Sequence, residues 1–132
     1  MKVIDKIAWI HLADRKILGA RSKGKDVWYL PGGKREAGET DTETLVREVK
    51  EELAVEILAD QAALIGVYEA QADGHAEGLI VKMTCYSAPF KGTLKPSSEI
   101  EEITWLDSRD SDKISEASRL IFSDLKQRGL LD

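Results

Sequence analysis

The sequence predicts an α/β layered domain with a mixed β-sheet between helices. Three observations predict it. Apolar, partly β-branched runs and segments of helical spacing follow one another in the order strands, helix, strands, helix. Both helical segments begin at capping residues. The three prolines, Pro31, Pro89 and Pro96, each fall where a strand ends or a loop opens.

In chain order, Val3 to Leu12 is apolar and reads as a strand, and Lys16 to Ala20 as a second, short one. Ala13-Asp14-Arg15 makes a tight turn between them. Arg21 to Asp26 is a polar loop. Val27-Trp28-Tyr29-Leu30 is a short strand stopped by Pro31-Gly32-Gly33, where two glycines permit backbone shapes closed to other residues and close approach to a ligand. After a loop from Lys34 to Glu39, Thr40 or Asp41 caps a helix running to about Leu53, with Glu43 in its first turn. Ala62 to Ala72 and Leu79 to Ala88 form a hairpin around the turn Asp73-Gly74-His75. Pro89 to Ser98 is loop-like, and Ile103 to Leu106 is a last strand. Ser111 or Asp112 caps a closing helix from Ile114 to Arg128, ended by Gly129. Its stripe is Ile114, Ala117, Leu120, Ile121 and Leu125.

The 132 residues fit one domain spanning the whole chain. A formal net charge of −5 offers no diffuse attraction to nucleic acid polymers or anionic lipid, so a phosphate ligand requires local cations or bound metal. The lone cysteine, Cys85, lies in an apolar run and reads as a core residue of a protein from a reducing compartment. The chain shows neither a signal peptide nor an apolar run long enough to span a membrane, and a cytoplasmic protein is expected.

The central helix carries the chemistry. With about 100° per residue, Leu45, Val46, Val49 and Leu53 share one face, and Glu48, Glu51 and Glu52 share the adjacent one. Like charges at three- and four-residue spacing destabilise a helix. Solvent with nearby lysine relieves this, and so does a divalent cation. An oxygen-only ligand set without histidine suits magnesium or manganese.

The segment Gly33, Glu39, Arg47-Glu48-Val49, Glu51-Glu52, Ala54, Val55 resembles the Nudix box at every specified position but one: Ala54 stands where the family has glycine. The lead-in Trp28-Tyr29-Leu30-Pro31-Gly32-Gly33-Lys34 is similar too. The resemblance implies a Nudix-type α/β/α sandwich, and a loop–helix–loop that binds divalent metal, magnesium with manganese as the other candidate. Glu48, Glu51, Glu52 and the Gly32 carbonyl are the implied metal ligands. Arg47 and Glu39 are implied to pair and hold the catalytic cassette. Glu52 is the first choice of base, with Glu51 beside it. Glu99 is the later-loop candidate for an extra acidic ligand, in competition with Glu101 and Glu102.

The implied activity is hydrolysis of a diphosphate bond in a nucleoside diphosphate derivative by a metal-activated water. The tags of the ADP-ribose, diadenosine-polyphosphate, coenzyme A and NADH subgroups are missing, and Tyr68 comes too early for one of them. That leaves the MutT-like reaction, nucleoside triphosphate to monophosphate and pyrophosphate. The alternative is a Nudix-like domain that senses a nucleotide without cleaving it.

For the substrate, a small-molecule nucleotide, the candidates are Gly33, Lys34, Trp28 and Tyr29. By strand alternation one aromatic faces the site and the other faces away. Lys34 and Arg35, and more weakly Arg21 and Lys23, are positioned to meet phosphate, with a solvated loop the equal alternative. His75 borders a turn, His11 is structural, and Trp105 and Phe122 are packing residues. A monomer or homodimer is expected.

Overall fold

The computed structural model describes residues 2–72 and 78–132. Three sheets build the frame. A four-stranded mixed sheet has β1 (Lys2–Trp9) between β4 (Gly32–Lys34) and β7 (Leu79–Ser87), with β6 (Ala63–Gln71) at the far edge. β1 runs parallel to β7 and antiparallel to β4, and β6 and β7 pair antiparallel. The turn expected at Asp73 to His75, and with it His75, lies outside the described residues. An antiparallel sheet joins β2 (Leu12–Ala13), β3 (Lys16–Ser22) and β9 (Ile100–Leu106). A small third sheet pairs β5 (Glu56–Ile57) with β8 (Phe90–Lys91).

Strand alternation divides the core into two layers. Ile7 and Trp9 of β1, with Leu18 of β3, pack against α1 (Asp41–Leu53) through Leu45, Val49 and Leu53. Ala8, Ile10 and Ile17, one residue out of phase, pack against α2 (Glu116–Gln127) through Ala117, Ile121, Phe122 and Leu125. Helices therefore cover opposite faces, and the expected α/β/α sandwich is present.

Several boundaries differ from the sequence reading. Val27 to Leu30 is not a strand. It makes isolated bridges, Ala20 to Tyr29 and Trp28 to Ile114. Gly32 and Gly33, read as a strand stop, are themselves strand, because the missing side chain of Gly32 lets β4 lie against β1. A Cβ on Gly32 would stand 2.0 Å from the Ile7 carbonyl oxygen, at φ 140°. β1 stops at Trp9, and Leu12 begins a hairpin turning at Asp14 and Arg15, both at positive φ. The loop expected from Pro89 to Ser98 contains β8, and the last strand starts at Ile100. α2 begins at Glu116 with Ser115 as its N-cap, the hydroxyl accepting from the Ser118 N–H, while residues 108–113 form a separate 3-10 turn. Ile114 precedes the helix and Leu120 is exposed, so neither belongs to the buried stripe of α2. Trp105 is 40% exposed and lies over His11 rather than in the core. His11 stacks on buried Trp9 with centroids 4.6 Å apart. Phe122 and Cys85 are buried as expected.

Candidate active site

α1 starts on a capping box: the Thr40 hydroxyl accepts from the Glu43 N–H, and the Glu43 carboxylate accepts from the Thr40 N–H. Its apolar stripe fixes its rotation on β1, and the charged face is thereby turned to the Gly32–Gly33 backbone. The fit is close. A Cβ on Gly33 would lie 2.6 Å from the Glu48 carboxyl group. The Gly32 N–H donates to Glu52 Oε1 at 3.0 Å.

Arg47 ties loop and helix together. Its Nε and Nη2 donate to the two oxygens of Glu39 at 2.7 and 2.9 Å, and Nη2 also donates to the Lys34 carbonyl at 3.1 Å. Nη1 donates to Glu48 Oε1 at 2.8 Å. Bonded first of all to Arg47, and to the Glu36 N–H and Thr44 hydroxyl, Glu39 has its carboxyl lowered to about 2.

Burial acts the other way on the helix face. It pushes the Glu48 carboxyl up, with Arg47 opposing. Burial also raises Glu52 to about 7, with Glu48 and Glu51 adding to the rise and the Gly32 N–H and Lys6 opposing it. A carboxylate poised near neutrality is matched to proton transfer at physiological pH.

Among the described residues no three His, Cys, Asp or Glu side chains converge as a ready ligand cluster. Glu48 is held by Arg47, Glu52 by Gly32, and Glu51 is 54% exposed. The donor set still fits a hard divalent cation in kind: three carboxylates on one helix face, two of them desolvated and repelling each other.

A cavity of ≈ 290 Å³ meets this face, with Gly32, Gly33 and Glu52 in its wall. Tyr29, Lys6 and Ser22 add polar groups, and Leu30, Val81, Met83 and Ile100 add apolar ones, so the lining is mixed. Small-molecule pockets run from about 300 Å³ upward, so the space suits a base better than a whole nucleotide.

The NUDIX domain family model matches residues 5–125. The chain belongs to the Nudix family. Over 110 residues it is 34% identical to the CTP pyrophosphohydrolase of Escherichia coli (strain K12), covering 80% of this chain and 76% of that protein. It is 31% identical over 105 residues to the ADP-ribose pyrophosphatase of Methanocaldococcus jannaschii, covering 77% of this chain and 60% of the relative. The solution structure of the Escherichia coli ORF135 protein superposes with a TM-score of 0.74 at 27% identity, over 97% of this chain and 94% of that one. The MutT NUDIX hydrolase of Burkholderia pseudomallei shares the fold, with a TM-score of 0.74 at 23% identity, over 93% of this chain and 98% of that one. The molecule is thus a Nudix hydrolase, similar to relatives named as pyrophosphohydrolases.

Within this Nudix hydrolase the sequence-derived candidates fall into two groups. Gly32, Gly33, Glu39, Arg47, Glu48 and Glu52 meet around β4 and α1, and Tyr29 joins them through the cavity. The other aromatic, Trp28, packs against the α2 layer beneath the Arg21 guanidinium. Lys34 is exposed and contributes its carbonyl to Arg47. Arg35 is committed to Asp5 and Asp41. Arg21 pairs with both Glu101 and Glu102. Glu99 is exposed and joins no ligand cluster, although its loop is anchored to α1 by the Ser97 N–H donating to the Glu52 carbonyl at 2.9 Å. Sequence reasoning missed Lys6, Ser22 and Gln71 in the cavity wall. For Lys6 the available signal was a cation in the apolar row Ile4, Ala8, Ile10 of one strand face.

Proposed function

We propose that this enzyme hydrolyses a nucleoside triphosphate to the monophosphate and pyrophosphate, with magnesium as cofactor and manganese as substitute. One observation carries the reading: the Glu52 carboxylate, bonded to the Gly32 N–H, forms part of the wall of a cavity of base size lined by both polar and apolar groups. Glu48, Glu51, Glu52 and the Gly32 carbonyl are the groups that would hold the metal. A bound divalent ion supplies charge neutralisation of the diphosphate and a lowered pKa for water. Glu52 accepts the proton of the attacking water, and Glu51 lies beside it on the helix face. Arg47 and Glu39 hold the carboxylates in position. Gly33, without a side chain, lets the Glu48 carboxyl lie directly against the loop backbone, and Tyr29 offers its ring to the base.

The test is a turnover panel of nucleoside triphosphates, ADP-ribose and dinucleoside polyphosphates with magnesium, with released phosphate and pyrophosphate measured. Pyrophosphate from triphosphates is expected, and EDTA abolishes it. The Glu52→Gln variant loses about 100-fold or more in kcat, the size of a general-base contribution. Unchanged kcat removes Glu52 from the role. Tight nucleotide binding without turnover of any substrate establishes a sensor instead.

A further inference from the structure

Arg47 fastens the loop in front of α1 from the helix side, through the Glu39 carboxylate and the Lys34 carbonyl. Arg35 fastens the same loop from the sheet side. Its N–H donates to the Asp5 carbonyl at 3.4 Å, one residue beyond the pairing of β4 with β1. Its guanidinium meets three groups. Nη2 pairs with Asp41 Oδ1 at 2.6 Å, Nε donates to Asp5 Oδ2 at 3.2 Å, and Nη1 donates to the Glu39 carbonyl at 3.3 Å. The other oxygen of Asp41 accepts from the Tyr86 hydroxyl at 2.5 Å. Arg35 thereby joins the loop to β1, to the first turn of α1 and, through Asp41, to β7.

These contacts end on the main chain of Glu39, the residue whose side chain aims Arg47. Glu39 is held at its carbonyl by Arg35 and at its carboxylate by Arg47, and Arg47 reaches Glu48. A carboxylate is aimed only as well as its own backbone is fixed. The rigid, planar guanidinium reaches several acceptors at once, which a single ammonium does not reproduce. Arg35 is not among the described residues lining the cavity, so its reach to the site runs through the loop. Building on the metal-ligand reading of Glu48 above, we propose that Arg35 is a positioning residue of this hydrolase. By fixing the Glu39 main chain to β1 and α1, it sets the contacts from Glu39 through Arg47 to Glu48 and pre-organises the carboxylate face for a divalent cation. Groups behind a metal ligand orient it and carry about 10- to 100-fold in metal affinity or activity. Arg35 stands behind Arg47 and Glu39, which places it at the lower end.

The experiment compares wild type, Arg35→Lys, Arg35→Met, Glu39→Gln and the double variant Arg35→Met with Glu39→Gln. Two quantities are read: the affinity of the protein alone for Mn2+, by electron paramagnetic resonance, and kcat and KM for a nucleotide that wild type turns over. Arg35→Met is expected to weaken Mn2+ binding and lower kcat by about 10-fold each, with KM for the nucleotide little changed. Arg35→Lys recovers part of both. In the Glu39→Gln background Arg35→Met adds far less, because the residue it acts through is already gone. An equal loss in that background overturns the proposal. A raised KM with kcat and Mn2+ affinity unchanged assigns Arg35 to the phosphates and overturns it too. So does a loss of stability alone. Absence of turnover in wild type refutes the triphosphatase reading, and the Mn2+ affinities then decide the role of Arg35 by the same pattern. Absence of Mn2+ binding by wild type overturns the proposal together with the metal reading. Urea unfolding confirms that each variant is folded, and where Arg35→Met does not fold, Arg35→Lys carries the same comparison.

Discussion

Glu39 takes four hydrogen bonds, two from Arg47, one from the Glu36 N–H and one from the Thr44 hydroxyl. Arg47 in turn reaches Glu48, so a residue of the loop orients a carboxylate of the helix through one guanidinium. Planar, bidentate pairing is specific to arginine, and a lysine at position 47 cannot reproduce it. The consequence is a pH dependence. Glu39 has a folded-state pKa of about 2, below the usual value near 4.3. A depressed carboxyl contributes stability that is fully present above the unfolded pKa and lost as pH falls through the folded one. Wild type is therefore expected to exceed Glu39→Gln in stability by a constant margin above about pH 5. The margin shrinks between about pH 4 and 2 and largely closes below that. Thermal unfolding of both proteins across this range checks it, and a margin unchanged at pH 2 contradicts the ionic role of Glu39.

At the level of elements, α1 is well specified at its start and strained at its end. Thr40 and Glu43 close the capping box, whereas Ala54, the residue departing from the Nudix pattern, takes the left-handed C-cap conformation with φ 59° and ψ 29°. That conformation costs a non-glycine residue about 1–2 kcal/mol, and the greater freedom of unfolded glycine returns about 0.4–1 kcal/mol. Ala54→Gly is thus expected to stabilise the protein by about 0.5–1 kcal/mol, measured by urea unfolding. The helix itself was legible in the sequence because caps and the apolar stripe are local. β4 was not. Gly32 and Gly33 have the composition of a turn, and only their fit against Ile7 and Ala8, far back in the chain, makes them a strand. The start of α2 was misplaced for a related reason. Ser111, Asp112 and Ser115 are all competent caps, and the 3-10 turn over residues 108–113 leaves the helix to Ser115.

Across the whole molecule, β1 is the shared wall of both layers, with Ile7 and Trp9 on one side and Ile4 and Ala8 on the other. The active-site helix belongs to one layer and most of the cavity lining to the other, so the site depends on both. Phe122 sits in the α2 layer at 2% exposure. Phe122→Ala is expected to cost about 3–5 kcal/mol, read by urea unfolding. Since it packs in the layer opposite α1, kcat at a temperature where the variant is folded should stay within a few-fold of wild type, and a far larger fall would show that the layer sets the chemistry directly.

The sequence by itself determined the layered fold, the capped central helix, and the face on which Glu48, Glu51 and Glu52 stand, because helical periodicity and box spacing are properties of neighbouring residues. Only the tertiary structure decided which side chains the site keeps. It gave Tyr29 to the cavity and Trp28 to the core, committed Arg21 to Glu101 and Glu102, and placed Lys6 in the cavity wall beside Tyr29. The physical reason is pairing over distance. Which cation finds which carboxylate, and which strand face a ring occupies, depends on β-sheet partners that no local pattern names.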